Sequence, residues 1–175
     1  MTRPFLTPPD LGGLKIGNLG DPTGAQDAAT KAYIDGLLPI AGAWTAFTPT
    51  LSDGWALGNS TYTAVYTRIV RLITFTIAIT LGTTATKGNG LRIAYPVTAR
   101  DTDAAAMGIQ ARFVDVGTGV FLGGGIGAST TAVDLRPIAT NSTTASFTAG
   151  VTATSPFPWA TGDGIFVFGA YEAAS

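Results

Sequence analysis

From Trp44 onward hydrophobic and polar positions alternate with a period of two, which predicts strands. The clearest run spans residues 69–81. Its odd positions read Ile69, Arg71, Ile73, Phe75, Ile77, Ile79 and Leu81, while Thr74, Thr76, Ala78 and Thr80 occupy even ones. One face of that strand is expected to enter a core. Residues 61–68 alternate Thr61, Thr63, Val65 and Thr67 with Tyr62, Ala64 and Tyr66, and are expected to pair with it. Further strands are expected over 91–97, 107–116, 120–122, 133–138, 146–154 and 164–171. Gly- and Asn-rich clusters at 87–90, 117–119, 141–143 and 161–164 separate them as turns. Short strands at this spacing predict an all-β fold, an antiparallel β-sandwich of jelly-roll type, and not βαβ units.

Two shorter zones precede this head domain of residues 41–175. Residues 27–40 carry the one helical pattern. Asp27 stands at an N-cap position, Ala29, Tyr33 and Leu37 recur at i, i+4 and i+8, and Gly36 and Pro39 end the run. A helix of about ten residues is marginal alone, so its apolar stripe needs a partner. That partner is either the following domain or copies of the helix around a symmetry axis. Residues 1–26 are rich in Pro and Gly and have too few apolar residues for a core, although Leu14, Ile16 and Leu19 suit an extended stretch. The plain reading of the segment is a disordered tail, and the functional reading is an arm that orders on a partner.

Composition narrows the chemistry. The chain has 175 residues, of which 12% are charged, with 10 Lys+Arg against 11 Asp+Glu, no His and no Cys. Glu172 is its sole glutamate. Without His or Cys there is no Ser-His-Asp triad, cysteine nucleophile, zinc finger or thiolate metal site. A net charge of −1 supplies no reason to expect a nucleic-acid partner. The N-terminus has no apolar signal-peptide core, and the apolar run 72–81 is far short of the ~20 residues of a membrane helix. Soluble proteins usually carry about 25% charge. Sparse charge with abundant Thr, Gly and β-branched residues points to a fold that hides surface in an oligomer, the alternative being a monomer with a Thr-rich neutral surface.

The individual motifs read mostly as structure. Gly123-Gly124-Gly125-Ile126-Gly127-Ala128 fits a G-x-G-x-x-A pattern, but the β-prone Ser129-Thr130-Thr131-Ala132-Val133 follows where dinucleotide binding requires a helix. A Gly-rich bend or a close backbone approach explains it better. Asp101 and Asp103 sit in a loop, yet Arg112 stands where a calcium loop would need its glutamate, leaving at most a weak calcium contact. No cofactor and no metal are expected. The sequons at Asn59 and Asn141 lack an accompanying secretion signal. Trp44, Trp55 and Trp159 suit core edges. Pro156-Phe157-Pro158-Trp159 is the exception: prolines stiffen it, and Phe157 and Trp159 are expected to contact a partner.

Lys15-Ile16-Gly17-Asn18-Leu19-Gly20-Asp21-Pro22-Thr23, followed by Asp27-Ala28-Ala29-Thr30-Lys31-Ala32-Tyr33-Ile34-Asp35, resembles a linker of bacteriophage tail fibres and minor tail proteins. The family pattern is I-x-N-L-x-D-P-T, then D-A-A-T-K-x-Y-V-D, with Ile34 here where Val is common. Trp44-Thr45-Ala46-Phe47-Thr48-Pro49-Thr50-Leu51 and the terminal Trp159, Gly162, Asp163, Tyr171 and Glu172 resemble C-terminal domains of phage virion proteins more weakly. The resemblance implies a homotrimeric appendage on the virion surface. Its neck would gather three chains through Ala29, Tyr33 and Leu37, and its arm would anchor to other virion proteins through Leu14, Ile16 and Leu19. The shaft typical of fibres is missing, so a short spike is implied, with its head against host-surface polysaccharide. A capsid decoration or head-fibre protein of the same layout is the alternative, and a carbohydrate-degrading enzyme the second.

Overall fold

The computed structural model describes residues 20–24, 29–30, 32, 34, 43–102, 108–138, 146–147 and 149–174. The chain divides into two compact units, residues 1–40 and 41–175. In the first, Ala32 and Ile34 are helical, and the Ile34 N–H donates to the Thr30 carbonyl at 3.0 Å. The Thr30 hydroxyl donates to Asp21 Oδ1 at 3.3 Å.

The second unit is all-β. Its strands are β1 (Thr45–Ala46), β2 (Leu51–Ser52), β3 (Thr61–Ile69), β4 (Leu72–Thr80), β5 (Arg92–Ala94), β6 (Gln110–Asp115), β7 (Gly119–Gly127), β8 (Ala132–Pro137) and β9 (Gly164–Glu172). All pairings are antiparallel, in the order β1-β3-β4-β9-β6-β7-β8-β5-β2. The strands thus form one continuous sheet, curled like half a barrel, where the sequence had suggested two facing sheets.

The curl places the core on the inner face. Ile73, Phe75, Ile77 and Ile79 of β4 are buried, as their alternation predicts, and Ile165, Val167 and Tyr171 of β9 join them. Burying each such side chain stabilises by about 1.5–3 kcal/mol. Loop residues Trp55, Leu81, Leu91, Val151, Phe157 and Trp159 complete the cluster. Tyr95, just past β5, meets Phe75 at 6.3 Å and Tyr171 at 4.5 Å between ring centroids. In sheet order β5 lies several strands from β4 and β9, so these contacts require the curl.

The first expected strand is really the turn and second arm of a hairpin. Ile69 ends β3 and pairs with Leu72, with Val70 and Arg71 forming the turn. Antiparallel pairing across a two-residue turn sends Ile69 to the face opposite Ile73. Nothing in the sequence marks this turn, because Val and Arg replace the usual Asn-Gly. Residues 146–154 form no strand among those described: Phe147 and Thr152 make isolated bridges only, to Ile138, Asn89 and Ser155. Residues 91–97 yield only the three-residue β5.

Candidate interaction surface

The outer face of the sheet has no covering layer among the described residues. Side chains alternate across each strand, so the outward set follows from the register. One row runs Val65, Thr76, Phe168, Gln110, Gly124. The next runs Thr63, Ala78, Phe166, Arg112, Leu122. Val114 and Val120 follow at one end, Leu72 and Ile69 at the other. Among the outward positions of β3, β4, β9, β6 and β7, Arg112 and Glu172 alone carry charge.

Apolar side chains stand in solvent here. Phe168 is 48% exposed, Val120 58% and Leu122 63%. A groove of about 390 Å³ lies between Thr63, Thr76, Arg112, Phe166 and Phe168. The Arg112 guanidinium sits 4.4 Å from the centroid of the Phe166 ring, so the cation of this face is spent on stacking. Phe147, itself 47% exposed, covers Gly124: a Cβ there would lie 2.7 Å from its ring.

The glycine run stands inside β7, with no helix after it. A Cβ on Gly123 would come within 2.5 Å of the Arg136 carbonyl oxygen and 2.6 Å of the Phe113 ring. One on Gly125 would meet Val133 at 2.4 Å. The run lets β8 and the core approach closely, which is a packing role.

The rings expected to meet a partner face inward. Phe157 and Trp159 are buried, Trp159 meeting Trp55 at 5.5 Å and Phe113 at 5.9 Å, and Phe157 meeting Phe121 at 5.0 Å. The Trp159 indole N–H donates to the Ser155 carbonyl at 3.3 Å, while Trp55 Nε1 is buried without a partner. The Ser155–Pro156 bond is cis. Turn-bounded prolines signal a stiff segment but not its direction, and the long-range closure that brings Trp55, Phe113 and Phe121 against it is not visible in local sequence. Trp44 is the exposed tryptophan. Of the neck residues Ala29 is exposed, while Tyr33 and Leu37 lie outside the described residues, as do Leu14, Ile16 and Leu19.

The remaining polar residues hold loops. Asn59 Oδ1 accepts from the Thr84 N–H at 2.8 Å and its Nδ2 donates to Thr83 Oγ1 at 2.9 Å, tying two loops together. Asp163, 2% exposed, accepts from the N–H groups of Ala160 at 2.6 Å and Val116 at 3.2 Å. Asp115 accepts from the Thr118 hydroxyl and the Gly117 N–H, which hold its carboxyl below the usual range. Asp101 pairs with Arg100, which also meets Glu172; Arg71 reaches Glu172 at 3.2 Å. Among the described residues no three of His, Cys, Asp and Glu gather as metal ligands. Asp103 lies outside that set. No helix of the described residues is long and apolar enough to cross a membrane.

No protein-family model, no curated protein and no solved structure matches this chain.

Proposed function

We propose that this chain is a non-enzymatic structural protein of a bacteriophage virion, a short trimeric spike or fibre-type appendage. Residues 1–26 anchor it to neighbouring virion proteins, residues 27–40 form the neck through Ala29, Tyr33 and Leu37, and the β head of residues 41–175 is displayed toward the host surface. The linker resemblance supplies the phage context. The observation that carries the structural role is the outer sheet face: apolar, rich in threonine and almost free of charge. Such a face suits contact with protein better than turnover of a substrate.

The finer architecture is read here as a rolled sandwich. Phe75 and Tyr171 on one side of the curl pack on Tyr95 on the other, which supports two facing halves within the one sheet. The best-formed acidic position, buried Asp163, is engaged by backbone N–H groups of two loops, which favours a structural role over acid-base work.

The test is location on the particle. A virion reconstruction or immunogold labelling is expected to place the protein at the tail in three-fold sets. Copies arrayed over the icosahedral shell would replace this reading with capsid decoration. Cleavage of host polysaccharide by the purified protein, lost in Asp101→Ala, would replace it with an enzyme.

A further inference from the structure

We infer that the outer face of β3, β4, β9, β6 and β7 is where a second copy of this chain packs in the assembled protein. The inference rests on the assembly reading above and names the surface, within the head, that the neck helix leaves unspecified.

Three observations choose the occupant. The first is area. Phe168, Val120, Leu122 and Phe147 are each about half exposed or more, and four such side chains leave roughly 400 Å² of mostly apolar surface in solvent, within the range of the largest patch on a typical monomer. The exposed Thr61, Thr63, Thr76, Thr80, Ile69 and Leu72 around them bring the face to about 800 Å², the share each partner contributes to a standard stable interface.

The second is charge. A nucleic acid or anionic lipid surface would need a cluster of cations, and the face offers Arg112, already stacked on Phe166. A copy of the same neutral surface meets it with little like-charge repulsion, because Glu172 at the opposite end of β9 is held by Arg71 and Arg100. The third is shape. Phe166, Phe168 and Arg112 wall the groove of about 390 Å³ while Leu122 and Val120 project beside it, so the same face provides both a recess and a side chain to fill one. A polysaccharide would call for hydrogen-bonding side chains in the groove, and its lining is mostly apolar.

The experiment uses the full chain. Molar mass is measured by light scattering and sedimentation over a concentration series for the wild type, for Leu122→Asp and Phe168→Asp, and for the strand-compatible Leu122→Thr and Phe168→Thr. Tyr62→Ser, exposed but on the opposite side of β3, in register with the inward Ile79, is the control. The aspartates are expected to raise the dissociation constant about 100-fold or more with the thermal transition kept, and Tyr62→Ser to leave it unchanged. If the aspartates fail to fold, the threonines decide. Face variants that keep the wild-type mass overturn the inference. Should Tyr33→Asp or Leu37→Asp then split the assembly, the structural-protein reading stands and the sheet-face contact alone falls. Loss of polysaccharide binding at unchanged mass would assign the face to a ligand instead. A monomeric wild type removes both readings.

Discussion

Tyr171 shows how much a single hydroxyl fixes. Its ring is buried between Phe75 and Tyr95, and its O–H donates to the Val97 carbonyl at 2.5 Å while accepting from the Val97 N–H at 3.1 Å. Tyr171→Phe leaves both backbone groups without that partner, and a loss of about 1–3 kcal/mol is expected in denaturant titrations. Burial pushes the Tyr171 phenol up to about 12, and burial beside Tyr171 raises Tyr95 further. Both groups are favoured in their neutral form in the folded protein. Their contribution is therefore complete below the ordinary tyrosine value near 10 and is lost as pH climbs toward 12. Denaturant midpoints measured between pH 8 and 12 should fall above pH ~10, less steeply in Tyr171→Phe. Asp163 acts similarly through its carboxylate. Asp163→Ala leaves the Val116 and Ala160 N–H groups unpaired, at an expected cost of about 2–4 kcal/mol. Neither role follows from composition, since a loop aspartate and a strand tyrosine carry no mark of the backbone groups they will meet.

At the scale of elements, β4 and β7 show what a period reveals and what it conceals. The inward Ile73, Phe75, Ile77 and Ile79 were readable because the side-chain period of a strand is fixed at two. The β3–β4 turn was not. Val70 adopts φ 56° and is 80% exposed, a conformation that β-branched residues rarely take. Val70→Asn should therefore stabilise by about 1 kcal/mol, read as a higher thermal transition. In β7 the glycine run was legible as a bend or a close approach, but not the register that sets Gly123 against Arg136 of β8 and Phe113 of β6, the strands on either side of it. Gly123→Ala should cost about 2 kcal/mol or more, because the backbone of β8 cannot yield as a flexible side chain would. Gly117→Ala, whose nearest neighbour would lie 3.4 Å away, should cost far less. Phe157 and Trp159 mark the same limit: the local sequence announces a stiff aromatic segment, and only long-range closure decides that it faces the core.

For the whole molecule, sparse charge and threonine-rich alternation announced an all-β chain with surface to hide, and the outer sheet face is a place where such surface stands open. Strand order and curl remained out of reach of local patterns, because β9 inserts between β4 and β6 and closes the sheet across long separations. A neutral, half-apolar sheet face also makes a demand on the molecule in solution, since left bare it invites uncontrolled association. The proposed assembly would satisfy that demand and is the physical basis of the proposed virion role. The most direct test is the molar mass of the purified full-length chain at micromolar concentration, by light scattering. Three times the 17.8 kDa of one chain is the expected result, and a single 17.8 kDa species across the concentration range would contradict it.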